Sequence, residues 1–168
     1  MQFSNMQLHG LTQGAQPIVS YNFGARNAQR VREAFSCLLR ACLSYSMAIW
    51  LLVELFPSVF VRIFNSTPSL VAYASRSVRI YMACSGIFGI QTACQQTFVA
   101  LGNAKTSLLL AVWRKIILLV PLIYILPCFF ADKAFAVFLA EPVADVGAVV
   151  MTRVMFYLQF RRAMLSLE

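Results

Sequence analysis

The chain has 168 residues, of which 60% are hydrophobic and only 12% charged, with a mean hydropathy of +0.73. Soluble domains carry roughly 25% charged residues, so this composition excludes an ordinary water-soluble fold and points to a membrane. The net charge of +8 arises from 14 Lys and Arg against 6 Asp and Glu, and because these charges sit at the ends of apolar runs they indicate lipid headgroups rather than nucleic acid as partner.

A helix needs about 20 residues to cross a hydrocarbon core of about 30 Å, so five crossings with short connections account for nearly the whole length. Met1 leads into Gln, Asn and His rather than a basic and then apolar run, so no signal peptide is expected. Cys37, Cys42, Cys84, Cys94 and Cys128 are scattered through apolar runs without a Cys-x-x-Cys pair. With His9 as the only histidine, no metal centre is expected, and the cysteines read as small buried hydrophobes.

The first span is expected over residues 5–24. It holds Gly10, Gln13, Gly14, Gln16 and Pro17, a composition unsuited to lipid because an unpartnered amide in hydrocarbon costs about 2–7 kcal/mol. This helix therefore faces protein or a cavity, with Gly24 as its left-handed stop. Arg26, Arg30 and Arg32 mark a basic loop. A second span covers 35–56, closed by Pro57, with Arg40 and Glu54 reaching the interface from its ends.

Asn65, Ser66, Thr67 and Pro68 form a helix-start signal, and helical character is expected to continue to Leu101. The spanning part is 77–101, with Arg76 and Arg79 near the interface and Gly102-Asn103 as the closing turn. Within it, Gln91 and Gln95 share a face beside Thr92 and Gln96, where amides bridge helices or line a polar cavity. Gly86, Gly89 and Ala93 allow a neighbouring backbone to approach. A fourth span, 107–131, enters through Trp113-Arg114-Lys115 as headgroup anchors and contains Pro121 and Pro127, each of which removes a backbone hydrogen bond. Asp132-Lys133 is the exit, and a last span covers 135–160 before Arg161-Arg162.

Assigning alternate connections to opposite sides collects Arg26, Arg30, Arg32, Arg40, Lys105, Arg114, Lys115, Arg153, Arg161 and Arg162 on one side. Arg62, Arg76, Arg79 and Lys133 fall on the other. The richer side is the expected cytoplasm. Five spans with a cytoplasmic end place the amino terminus outside, which suggests further spans upstream.

Glu141 and Asp145 are four residues apart in the apolar run 134–152 and so share one helix face. Ionisable groups at such depth are functional candidates, suited to exchanging a proton or helping to hold a cation. The alternative for Glu141 is structural, as an interfacial residue at a helix start with Pro142 in the first turn. Tyr81, Tyr124 and Tyr157 suit packing or interface anchoring. No Ser-His-Asp set, zinc ligands or phosphate-cradling Gly-rich loop can be assembled, so an enzyme is not expected.

The run GLTQGAQPIVSYNFGA from Gly10 to Ala25, followed by Arg26-Asn27 and Arg30-Val31, resembles the eighth helix and following cytoplasmic loop of multidrug and toxic compound extrusion (MATE) transporters, particularly bacterial ones. The segments Phe98 to Lys105 (FVALGNAK) and Ala140 to Asp145 (AEPVAD) agree in order. The resemblance implies an all-α, multi-pass transmembrane bundle, with about five spans forming most of one six-helix MATE lobe. It also implies a secondary antiporter that exports cationic or amphipathic drugs in exchange for Na+ or H+ across the bacterial inner membrane, with no resident cofactor. Its partners would be membrane lipids, small organic cations and an amino-terminal lobe lying outside these residues, and no nucleic acid. The third helix has glutamines where some relatives carry an acidic residue, whereas Glu141 and Asp145 match the family's Glu-Pro-x-x-Asp pattern. The expected ion and substrate pathway comprises Gln13, Gln16, Gln91, Gln95, Glu141 and Asp145, with Pro17, Pro121 and Pro142 as bending points. Two other readings are a lipid-linked saccharide flippase of related architecture, which should show a more basic cavity, and a non-transporting truncated membrane fragment.

Overall fold

The computed structural model describes residues 2–63, 67–130 and 133–165, and every regular element among them is helical. Helix α1, Gln2–Gly24, is followed after a tight turn by α2, Ala28–Leu55. The turn is a Schellman motif. Arg26 N–H donates to Phe23 O at 3.1 Å, Asn27 N–H donates to Asn22 O at 3.0 Å, and Arg26 itself holds φ of 56°. The left-handed stop expected at Gly24 thus falls two residues later. Asn27 then caps α2 by accepting from Arg30 N–H at 3.1 Å.

Pro57 begins the short helix α3, Pro57–Arg62, rather than merely ending its predecessor. Helix α4, Pro68–Met82, starts on the expected proline; Asn65 and Ser66 of the predicted start signal lie outside the described residues, as does Asp132 of the predicted exit turn.

The helix expected to run unbroken from Pro68 to Leu101 is interrupted at 83–87, where a 3-10 turn, Ser85–Ile87, precedes α5, Phe88–Ala100. The break has a partner in α2. Ser46 Oγ donates to Gly86 O at 2.8 Å, which satisfies a carbonyl released from the helical ladder. A Cβ on Gly89 would lie 2.5 Å from Cys42 O, and one on Gly86 would lie 2.9 Å from Met47 Sδ. Gly89 lets α5 approach the α2 backbone at a distance no larger residue permits, whereas at Gly86 the neighbour is the flexible end of a methionine. The turn after α5 is again a Schellman motif, with Gly102 at φ 80° and Asn103 N–H donating to Phe98 O at 2.8 Å.

A continuous helical rod follows: α6, Ala104–Val112, a π-helical stretch, Trp113–Leu119, and α7, Val120–Phe129. Pro121 lacks the N–H that would bond the carbonyl four residues earlier, and the π stretch ends just before it. The wider turn relieves that crowding. Helix α8, Lys133–Leu165, closes the chain with Pro142 buried in its interior.

Helix α5 is the hub, packed against α1, α2, α6 and α8. Its contacts with α1 and α2 centre on Leu8, Leu38, Cys42 and Ala93. Its contact with α8 is aromatic: Phe98 meets Phe156 edge-on at 5.3 Å, and Phe156 stacks on Phe35 at 4.5 Å and on Phe160 at 4.8 Å. By length and composition, α2, the α6–α7 rod and α8 are each able to cross a membrane. Helix α1 has 23 residues, about 35 Å at 1.5 Å per residue, but its amides keep it less apolar than these three.

Candidate functional site

Arg114 decides the geometry of the polar centre. It stands ten residues into the α6–α7 rod, about 15 Å from its start, and Asp145 stands twelve residues into α8, about 18 Å from its start. Both lie several turns inside their helices. Arg114 Nε donates to Asp145 Oδ1 at 2.7 Å, its Nη2 also lies against that oxygen, and Nη2 donates to Glu141 Oε1 at 3.0 Å. The guanidinium carbon is 4.8 Å from the centre of the Phe88 ring, a cation–π contact at the first residue of α5. Asp145 is 1% exposed, and the side chains of Arg114 and Glu141 are 12% and 14% exposed. The headgroup-anchor role expected for Arg114 is therefore corrected. It is a largely buried counter-ion within the bundle, and its removal from the charge count leaves nine basic residues against four.

Glu141 and Asp145 occupy one face of α8, as their spacing requires, and both bind the same guanidinium. The interfacial alternative for Glu141 is replaced by a pairing within the bundle. Pro142 lies between them, buried, and withholds an N–H from the carbonyl of Phe138. The second carboxylate oxygen of Asp145, Oδ2, is buried and accepts no hydrogen bond from the described residues.

Helices α5 and α8 run in parallel, since Phe88 lies near the Arg114–Asp145 pair while Phe98 meets Phe156 and Asn103 donates to Gln159 at 2.6 Å farther along. This register places Gln91 and Gln95 beyond Phe88 on one side of α5, at the level of Ala148 and Thr152. Gln91 Oε1, Gln95 Nε2 and Thr152 Oγ1 are likewise buried without a hydrogen-bond partner among the described residues. By this register these atoms stand at successive turns of α5 and α8 beyond Asp145, and buried polar atoms are costly in a bundle unless something pairs with them.

The other expected pathway residues lie elsewhere. Gln16 accepts from Gln96 Nε2 at 2.7 Å, and Ser20 donates to Ala100 O at 2.9 Å, so this side of α1 is stitched to α5. Gln13 and Pro17 are exposed on α1, and Pro121 is exposed on α7. Two members of the polar centre, Arg114 and Phe88, were not singled out as site residues by sequence reasoning. A charge ten residues inside a 26-residue apolar rod was the available signal, obscured by the adjacent Trp113 and Lys115.

The MatE family model matches residues 1–125. The chain belongs to the MATE family. The match covers well over half of the chain, and the polar centre joins residues within the matched part to α8 beyond it. Among solved structures, the MATE multidrug transporter DinF-BH is 32% identical, with a TM-score of 0.88 over 98% of this chain and 36% of its own. An inward-facing multidrug resistance MATE transporter of the MOP superfamily gives a TM-score of 0.88 at 13% identity over 96% of this chain and 38% of its own. An outward-facing one gives 0.87 at 13% identity, over 96% and 36%. No curated protein matches the chain. The chain thus spans little more than a third of the length of these solved relatives. It is a helical membrane protein of a transporter family.

Proposed function

We propose that the chain forms most of the carboxyl-terminal lobe of a secondary antiporter of the bacterial inner membrane, exporting cationic or amphipathic drugs in exchange for Na+ or H+. Five crossings are inferred: α1, α2, α4 together with α5, the α6–α7 rod, and α8. The observation that carries the reading is the Arg114–Glu141–Asp145 group, centred on the buried Asp145, in a chain of this family. Two carboxylates against one guanidinium leave one formal negative charge, which a single proton or monovalent cation neutralises. An uncompensated charge at this depth costs several kcal/mol, so occupancy of the group changes the energy of the lobe.

Coupling then follows from population shift. An ion that binds one orientation of the lobe better than the other changes which face is open, and drug release follows. The near-equal likeness to inward-facing and outward-facing relatives supports a lobe that keeps its internal fold while its orientation changes. In this reading the remainder of the transporter supplies the facing lobe, small organic cations are the substrates, and neither a resident cofactor nor nucleic acid takes part.

The test is drug efflux from everted membrane vesicles carrying the complete transporter, under sodium and proton gradients in turn. Asp145→Asn is expected to abolish the dependence of efflux on the coupling gradient. Efflux with an unchanged rate and unchanged ion dependence would falsify the coupling role.

A further inference from the structure

We propose that the cavity between α3 and α4, at the opposite end of the lobe from the basic α1–α2 loop, binds the phosphate of an anionic phospholipid. The cavity has a volume of about 1080 Å³, and Arg62, Arg76 and Arg79 line it. Arg79 donates to Glu54 O at 3.1 Å and stands 3.9 Å from the Glu54 carboxylate. Among the described residues no carboxylate pairs with Arg62 or Arg76. Pro68, the first residue of the 15-residue helix α4, also lines the cavity, which places that helix's positive end at its edge.

Arg62 and Arg76, which among the described residues have no carboxylate partner and line one cavity, form a site for an oxyanion, because each guanidinium presents a planar pair of donors to phosphate oxygens. A free phosphate and a lipid headgroup share this chemistry. The rest of the lining selects the lipid: Leu55, Val71, Ile80 and Phe135 provide an apolar wall that inorganic phosphate does not use and an acyl chain does. These arginines also lie on the side of the lobe with the fewer basic residues, so the positive-inside preference does not account for their gathering there. The site is separate from the Arg114 group and does not rest on the transport reading.

Native mass spectrometry of the purified complete transporter in detergent tests the site, using phosphatidylglycerol, phosphatidylcholine and inorganic phosphate as probes. Wild type is expected to retain phosphatidylglycerol over phosphatidylcholine by about tenfold, the scale that one or two basic residues contribute at an anionic lipid. The R62Q/R76Q variant is expected to lose that preference with an unchanged circular dichroism spectrum. Should that variant misfold, Arg76→Lys decides, because the loss of bidentate geometry must lower the ratio. Equal retention of the two lipids by wild type, or an unaltered ratio in the variant that folds, would overturn the site. Displacement of phosphatidylglycerol by millimolar inorganic phosphate would overturn the assignment to a lipid.

Discussion

Arg114 and Asp145 meet at 2.7 Å across two helices that each cross the lobe, with Asp145 buried and Arg114 largely so. The α6–α7 rod packs along α8 and, at its start, against α5, while its outer surface is an apolar face of Leu108, Leu109, Ile116, Ile117 and Ile125. The salt bridge is thus a principal specific tie between the rod and α8, with Gly147 packed against Leu118 as its apolar neighbour.

Removing the guanidinium leaves two carboxylates without a counter-charge. Arg114→Gln is expected to destabilise the protein by about 3–5 kcal/mol, the cost of breaking a buried pair from one side. Adding Asp145→Asn and Glu141→Gln should recover much of that loss. Thermal unfolding of the purified protein in detergent measures both, and additive losses in the triple variant would contradict the pairing.

The approach of α5 to α2 depends on Gly89, where a methyl group would meet the Cys42 backbone. Gly89→Ala is expected to cost about 1–3 kcal/mol through forced separation of the helices. Gly14→Ala, at a helical position with open space around it, is the control and should raise stability by up to about 1 kcal/mol. Equal effects of the two substitutions on the unfolding midpoint would remove the close-packing explanation.

The amides of Gln16 and Gln96 bridge α1 and α5. Interhelical hydrogen bonds in membranes average about 0.6 kcal/mol and reach about 1.7. A double-mutant cycle with Gln16→Ala and Gln96→Ala should yield a coupling energy within that range, whereas the same cycle with Gln13→Ala and Gln96→Ala should give none.

Two Schellman turns use different residues at the left-handed position, Arg26 with φ of 56° and Gly102 with φ of 80°. A side chain in this region costs about 1–2 kcal/mol. Arg26→Gly is therefore expected to stabilise the chain and Gly102→Ala to destabilise it, each by about 1 kcal/mol. The opposite ordering of unfolding midpoints would show that packing around the turns outweighs backbone strain.

Several features of the candidate site were legible along the chain. The spacing of Glu141 and Asp145 placed both carboxylates on one helix face, and the amides of α1 announced a helix that had to pair with protein, as Gln16 does. What escaped was long-range. The interruption at 83–87 depends on Ser46 reaching Gly86 from 40 residues away, and nothing local in Ala83 to Ile87 requires it. The inward turn of Arg114 was equally hidden, because Trp113-Arg114-Lys115 has the composition of an interfacial anchor and the carboxylates that capture it lie 27 and 31 residues later.

By itself, the sequence determined the solvent and the architecture: apolar runs of membrane length, turns at Ala25 to Asn27 and Gly102-Asn103, and the helical periodicity that sets which residues share a face. These follow from local backbone sterics and from burial, which each segment expresses within its own few turns. Only the tertiary structure decided which polar groups neutralise one another. In a bundle a buried charge must take a partner from another helix, and which helix arrives beside it depends on how Gly89 of α5, the aromatic contacts of α8 and the π turn before Pro121 bring those helices together.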